Sequence, residues 1–468
     1  MTDDPEAQYI MISARWFPVV VLGMAILPTA CAPPTSSKPS TPPADSKTGS
    51  EAAVSNWPQW RGPDGTGVSH ETGLALHWSE TEGHQWKVPL PEWGSSTPAI
   101  WGDALFLTSH TADAKLIVLR LNRTTGKIEW TREVGFGRPF RGKLRRGVQV
   151  FHRWHNMASP SPVVRENRVV VHFGTGAIAT LNFSGEILWK RNLQQDHGPF
   201  TIWWGYANSP VVHDGRVITV CMQDSMADRE KTPNPSYLVA HDLETGVLLW
   251  KTVRPTEAPG EQCDAYTTPL LTAIDGSQQL IVMGASQLDA YDPVNGSRLW
   301  FLPGLTGGRT VASPTARDGT IYAVRGYRGP LFAVQSPGRG ELPRNKIRWS
   351  HDRNTPDTCC PLLYRGLLFG ISDDGIVQCL DAKTGEPQWR TRLQGPFKAS
   401  PVAAEGRIYF AGVNGVCTVL SAERKLKKLA ANKIDDQLVA SPAISDGTIY
   451  LRGRKAMYAI NPRSRTGG

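Results

Sequence analysis

The sequence predicts an all-β protein: an eight-bladed β-propeller of four-stranded antiparallel blades, with its ring closed by an N-terminal strand. Three observations carry this expectation. A small polar residue followed by Pro opens a strand-like run eight times, at Thr97-Pro98, Ser161-Pro162, Ser209-Pro210, Thr268-Pro269, Ser313-Pro314, Cys360-Pro361, Ser400-Pro401 and Ser441-Pro442. A Gly turn leading to a Trp closes the unit five times, at Trp130, Trp189, Trp250, Trp300 and Trp389. The last unit stops at Ile460 after three strands, whereas Gln85-Trp86-Lys87-Val88, ahead of the first opening, is a Trp-bearing strand with no unit of its own.

The unit from Ser209 to Trp250 shows the logic of each element. Ser209-Pro210-Val211-Val212 is a short apolar run, Asp214-Gly215 a tight turn, and Arg216 to Cys221 a strand rich in β-branched residues. After a long loop come Tyr237 to Asp242, a turn at Thr245-Gly246, and Val247 to Trp250. Runs of this composition bounded by Asp-Gly and Thr-Gly pairs read as hairpins. A four-strand meander cannot bury both its faces alone, so repeats of about 50 residues stack radially, and the closing Trp falls between neighbouring sheets. Two units depart from the pattern. The fifth ends at Trp349 without a Gly turn, and the seventh, through Lys425 to Leu429, has lost its Trp.

Ahead of the repeats, residues 1–30 read as an export signal: Arg15 precedes an apolar stretch from Trp16 to Leu27 that is too short to span a bilayer. The acidic opening Asp3, Asp4, Glu6 is foreign to such a signal, and Met11 makes a better start than Met1. Thr29-Ala30-Cys31 resembles the end of a bacterial lipobox, with Pro28 standing where Leu is preferred and Leu27 one place early. That resemblance implies lipidation of Cys31 and a membrane anchor; plain secretion and retention inside the cell are the alternatives. Residues 31–56, rich in Pro, Ser and Thr, lack any apolar period and read as a disordered tether. The propeller domain occupies 57–468.

A formal charge of +9 over 468 residues raises nucleic acid as a partner, but the basic residues are scattered, so none is expected. The densest run, Arg138, Arg141, Lys143, Arg145 and Arg146, is either a solvated loop or a docking patch for an acidic partner. Cys221, Cys263, Cys379 and Cys417 have no C-x-x-C spacing, which argues against a zinc cage or a covalently held haem. His152, His155 and Asn156 cluster without a carboxylate beside them, so no metal site is expected there. Gly304 to Gly308 lacks the strand-then-helix setting of a phosphate loop.

Trp57-Pro58-Gln59-Trp60-Arg61-Gly62-Pro63-Asp64-Gly65-Thr66-Gly67 resembles the opening of bacterial exported PQQ-like (pyrroloquinoline quinone repeat) propellers. Asp242 to Trp250 and Asp381 to Trp389 fit the D-x-x-T-G-x-x-x-W ending of that repeat, and the resemblance extends from Trp57 to Pro462. It implies one of two functions within the quinoprotein alcohol dehydrogenase-like superfamily. The first is a BamB-like, non-catalytic scaffold of the cell envelope, in the periplasm or at the outer membrane, which binds a protein or an extended ligand. The second is a quinoprotein that oxidises alcohols or sugars with PQQ and calcium. Under the second, Cys359-Cys360 corresponds to a vicinal disulfide stacked on the quinone, with Asp264 and Asp357 as carboxylates for base or ligand roles; otherwise Cys360 fills the Ser place of its opening. Fold does not choose between the two. The non-catalytic reading is preferred, with no catalytic residue assigned, no cofactor required and a monomer expected.

In a blade that runs from channel to rim, inter-blade connections lie on the same face as the loops between second and third strands. Both sets are long here, whereas the opposite face carries pairs such as Asp214-Gly215, Asp318-Gly319 and Asp446-Gly447, expected to offer a ligand little. Long loops on a rigid scaffold are where binding concentrates. The predicted recognition surface is therefore Trp154, His155, Trp203, Trp204, Tyr206, Asp264, Tyr266, Arg325 and Cys360, around the mouth of the channel.

Overall fold

The computed structural model describes residues 56–137, 151–202, 204–223, 235–335 and 338–462, with two further short strands, Lys143–Leu144 and Gly147–Val148. The export segment, Cys31, the tether, Trp203 and most of the basic run after Gly137 lie outside the described residues. Among the described residues, no helix is long and apolar enough to cross a membrane.

Eight four-stranded antiparallel blades follow one another along the chain. Blade 1 spans Ala99–Phe136, blade 2 Val163–Asn192, blade 3 Val211–Val253 and blade 4 Leu270–Leu302. Blade 5 spans Thr315–His351, blade 6 Leu362–Arg392 and blade 7 Val402–Lys433. Blade 8 has three strands of its own, Ala443–Ser445, Thr448–Arg452 and Ala456–Ile460, and takes its fourth from His84–Pro89, which pairs antiparallel with Ala456–Ile460. The ring closes as the orphan Trp86 strand predicts.

Inner strands read as continuous apolar runs because a neighbouring blade covers each face. In blade 3, Val217 to Cys221 and Tyr237 to His241 are buried throughout, whereas the outer strand Leu248–Val253 is largely exposed. The turn before each outer strand follows from its sequence. Asp242 Oδ1 accepts from the backbone N–H groups of Glu244 (3.0 Å) and Thr245 (2.8 Å), and from Thr245 Oγ1 (2.8 Å). Gly246 then takes φ 69° beneath the Trp189 ring, where an added Cβ would sit 2.5 Å from the indole. The glycine of the ending is thus demanded by the tryptophan of the preceding blade. Trp189 completes the joint by donating from Nε1 to Leu243 O at 2.9 Å. Where blade 7 has Ala430 in place of the Trp, Leu74 and Trp78 from the N-terminal segment enter the same buried cluster.

These tryptophans are not equally buried. Trp300 is fully buried, but Trp250 and Trp389 are only partly so, contrary to the expectation that every strand-end Trp is a core residue. Trp300→Ala is expected to cost about 3–5 kcal/mol in denaturant unfolding and Trp389→Ala less, about 1–2 kcal/mol, since the latter is only partly buried to begin with.

The eight openings form a feature that sequence reading missed. Seven of the eight opening residues donate their backbone N–H to the side chain of the next: Thr97 to Ser161, Ser161 to Ser209, Ser209 to Thr268, Thr268 to Ser313, Ser313 to Cys360, Cys360 to Ser400, and Ser400 to Ser441. These bonds measure 2.8–3.1 Å, and Thr97 Oγ1 closes the circle by donating to Ser441 O at 3.1 Å. The small polar residue at each opening is therefore an inter-blade bond around the channel.

Trp57 to Gly67 crosses the tight-turn face of the ring. Trp57 exchanges backbone bonds with Ile100 in blade 1 (3.0 and 2.8 Å), and Gly67 O accepts from Ala403 N in blade 7 at 2.9 Å. Between them Arg61 is buried and donates to Pro361 O at 2.9 Å. Gly62, at φ 79°, lies so close under the Trp57 ring that a Cβ would sit 2.8 Å from it.

Candidate functional site

The inter-blade loops surround a funnel of about 430 Å³ over the channel. Its wall includes Trp154, His155, Trp204 and Tyr266, four of the residues expected there, and Trp60. Trp60 also bounds a small crevice on the tight-turn side with Pro210 and Pro269, so the N-terminal segment forms the floor of the funnel.

Aromatic contacts fix the wall. The His152 and Trp204 rings meet edge to face at 5.1 Å, and His155 lies 6.3 Å from Tyr266. Tyr266 OH accepts from Trp204 N at 3.2 Å and donates to Asp264 Oδ2 at 3.5 Å. At the rim, the Arg454 guanidinium lies 4.2 Å from the Trp93 ring centre and 5.2 Å from that of Trp154, and Arg153 lies 5.0 Å from Trp154 on its own account. Such contacts hold both the cation and the ring in place.

Charges enter from two sides. Arg309 pairs with Asp357 at 2.8 Å and approaches Glu261 at 3.9 Å; Lys398 pairs with Asp373, whose Oδ1 also accepts from Thr358 N at 3.0 Å. Burial pushes the Asp357 carboxyl up to about 6, outweighing the pull of Arg309. Burial holds His152 below the ordinary imidazole value, helped by the positive charges of Lys398, Arg309 and Arg153. The funnel thus combines aromatic faces, the opening hydroxyls Ser161, Ser209 and Ser400, and cations paired with carboxylates.

Four of the expected site residues stand elsewhere. Tyr206 is buried beneath the wall against His172 (4.5 Å) and Phe200 (5.0 Å). Asp264 is buried too and acts on the wall through Tyr266. Arg325 turns to Thr306 O at 2.8 Å, away from the funnel. Cys360 is part of the buried ring, and Trp203 lies outside the described residues. Cys359 and Cys360 are free thiols, not a vicinal disulfide: Cys359 donates to Ala399 O at 3.2 Å, while Cys360 accepts from Ser313 N at 3.1 Å. The opening that Cys360 occupies requires its side chain as an inter-blade acceptor, which turns it from its neighbour.

Wall residues not anticipated are Trp60, Arg309, Lys398, Glu261 and Thr358. Only Trp60 had a signal, its place in the Trp57 to Gly67 motif. The tight-turn face also differs from expectation. A depression of about 1040 Å³ lies there, between residues Gln59 to His70 and the turns of blades 2 to 5. Short turns make a wide hollow once a separate segment supplies its wall.

The family model described as outer membrane protein assembly factor BamB matches residues 63–224, 152–391 and 346–465, almost the whole propeller. The chain belongs to that family. BamB from Moraxella catarrhalis superposes with a TM-score of 0.53 at 14% identity, covering 82% of this chain and 99% of that one. Quinohemoprotein alcohol dehydrogenase from Comamonas testosteroni superposes at 0.63 and 13% identity, covering 88% of this chain and 82% of that one. At such identities the likeness is one of fold. Among curated proteins, polyvinylalcohol dehydrogenase of Sphingopyxis sp. (strain 113P3) is 29% identical over 123 residues, which are 24% of this chain and 19% of that protein. The match thus spans about a fifth of the relative's length.

The fold relatives raise the question of whether the funnel suits a quinone with a cation. Cys359 and Cys360 are buried and absent from the wall, so they offer a planar ring no platform. Among the described residues, no three His, Cys, Asp or Glu side chains converge as a metal would require. The wall does not fit the quinone arrangement that the Cys pair implied.

Proposed function

We propose that this protein is an exported propeller of the cell envelope, lipid-anchored through Cys31, that binds a partner protein or an extended ligand in its funnel and does no chemistry on it. The observation that carries the proposal is the wall itself. It presents rigid aromatic faces and cations held by carboxylates, in the manner of recognition anchors. Membership of the BamB family supports the envelope location and a protein partner.

Capture from envelope extracts tests this reading. Trp204→Ala and Tyr266→Ala are expected to reduce recovery of the partner at least about tenfold, the loss of a hot spot; the melting temperature should change little for Trp204→Ala and fall for Tyr266→Ala, which removes a buried ring. Undiminished capture by both variants, together with loss of capture on substitution of Glu166 or Asp318 on the tight-turn face, would move the site to the other side of the ring.

A quinoprotein dehydrogenase is the second reading. The stretch similar to polyvinylalcohol dehydrogenase favours it, as does Asp357, whose carboxyl near 6 is suited to base chemistry. Addition of PQQ and calcium to the purified protein, followed by near-ultraviolet absorbance and dye reduction with alcohols, separates the two. A bound chromophore and turnover would displace the scaffold reading.

A further inference from the structure

The turn into the outer strand of blade 7 departs from the repeat. Blade 3 closes this turn with the backbone bond from Asp242 N to Val247 O at 2.8 Å, whereas blade 7 closes it from Ser421 N to Lys427 O at 3.0 Å, one residue farther along. Neither the Asp nor the Gly of the repeat is present, and the longer turn runs Arg424-Lys425-Leu426-Lys427-Lys428. All five side chains are exposed, and Leu426 is among the few large apolar ones at the described surface. Trp389 of blade 6 still donates to Glu423 O at 2.8 Å, so the turn is anchored at its base.

Blades 6 and 5 continue this surface on the tight-turn face. Arg424 pairs with Asp381, two places before Lys383, and Lys383 stands where the corresponding turn of blade 3 has Glu244. Lys383, Arg365 and Arg348 line one groove between blades 5 and 6. Arg348, Arg365, Lys383, Lys425, Lys427 and Lys428 have no carboxylate partner among the described residues. Blades 1 to 3 differ, because on the same face their arginines are paired: Arg120 with Glu129 at 2.9 Å, Arg123 with Asp446 at 3.1 Å, Arg168 with Glu244 at 2.6 Å and Arg216 with Asp214 at 2.8 Å. With Arg317 and Arg424 added, the six cations of blades 5 to 7 outnumber the nearby carboxylates Asp318, Asp381, Glu386 and Glu423, while Glu405 is paired with Arg407. Cations that lie far apart in the sequence thus meet on one sector of one face.

We propose that this face of blades 5 to 7 docks on the anionic headgroups of the membrane that holds the chain, so that the funnel points away from the bilayer. The choice of occupant rests on the reading of Cys31 as a lipid anchor. Asn56, where the described chain begins, accepts at Oδ1 from Gly102 N at 2.9 Å in a tight turn of blade 1, so residues 31–55 join the propeller on this same face. The composition of that stretch predicts a flexible chain, and one of its length spans roughly 30 Å, which keeps the cations near the bilayer. Each Lys or Arg close to an anionic surface is drawn to it, and a leucine flanked by lysines enters the headgroup layer while the ammonium groups stay among the phosphates. An acidic protein would meet the same charges, but the tether brings a membrane within their reach.

Vesicle flotation of the full chain carrying Cys31→Ser, which cannot be acylated there, tests the docking face apart from the anchor. Vesicles of phosphatidylcholine mixed with phosphatidylglycerol are expected to bind it at least about tenfold more strongly than phosphatidylcholine alone. The difference should vanish on going from about 0.1 M to about 1 M salt, as the screening length shrinks from about 10 to about 3 Å. Neutral vesicles report whatever the apolar stretch from Trp16 to Leu27 contributes. Lys425→Glu, Lys427→Glu and Lys428→Glu together are expected to remove the preference for anionic vesicles; the three side chains are exposed, so the melting temperature should hold and report an intact fold. Lys190→Glu, Lys251→Glu and Lys455→Glu make the same change of net charge on blades 2, 3 and 8 and should leave the preference in place. Equal binding to both kinds of vesicle, a blade 7 variant that still prefers anionic ones, or a control variant that loses the preference overturns the proposal. A chain that ignores anionic vesicles but binds an acidic protein through Lys425, Lys427 and Lys428 gives the face to another occupant and overturns it equally. The mass of mature Cys31 tests the anchor, so the two readings fail by different measurements.

Discussion

A chain truncated to begin at Leu90 is expected to be insoluble, or to lack a cooperative melt. The truncation removes the fourth strand of blade 8 and exposes the edge of Ala456–Ile460. It also removes Trp57, Leu74, Trp78 and Trp86 from the core. Loss of a buried aromatic costs about 3–5 kcal/mol, so three of them together with a leucine exceed the 5–15 kcal/mol by which a typical domain is stable. A milder test is Gly126→Val, which drives a side chain into the Trp86 ring, 2.6 Å from the position of an added Cβ. Circular dichroism melts and solubility read both. A truncated chain that melts like the intact protein would show that the ring does not depend on its closing strand.

Acid is expected to destabilise the ring steeply below pH 6.5 because of two histidines between blades 2 and 3. His172 and His241 are fully buried, with no hydrogen-bond partner for either ring nitrogen among the described residues. Burial holds His172 at about 3, with His241 adding to the effect. It holds His241 at about 4, with the positive charges of Arg191 and His197 adding to it and Asp196 opposing. Both values are depressed relative to the unfolded chain, so their contribution is complete above pH 6.5 and lost as pH falls toward 4 and 3. At about 1.4 kcal/mol per unit, each removes roughly 3 kcal/mol between pH 6.5 and 4. Denaturant unfolding at pH 7 and at pH 4.5 measures this. His172→Leu should flatten the slope by about one proton; an unchanged slope would mean that His172 is already charged in the fold.

The architecture was legible because its determinants are local and repeated. Asp242, Thr245 and Gly246 specify a turn within five residues, and the glycine repeats because the Trp of the blade before it lies on top. Even the closing strand could be read, as a Trp without a unit. The candidate site was half legible. Trp154, His155, Trp204 and Tyr266 precede openings and do line the funnel, but Tyr206 and Asp264 occupy similar places and are buried. Sequence position gives the loop, while the side of the loop a residue faces depends on packing with the next blade. Arg309 and Lys398 gave no warning, since scattered basic residues look alike until the ring brings two of them together over one channel. The Cys pair misled for a comparable reason: adjacency suggested a bond, yet the opening it occupies recruits the second sulfur for blade 6's neighbour.

The segment from Trp57 to Pro89 both floors the funnel and closes the ring, which gives the molecule a mechanical order. A pull on the N-terminus loads the Trp57 to Ile100 bridge first, then Arg61, then the Val68 contact with Ala403, and only afterwards the strand His84–Pro89. Tension would therefore unseat Trp60 and turn a blind cup into a through-channel while the eight blades are still joined. A propeller suspended by that end has a drain that opens before its hoop breaks.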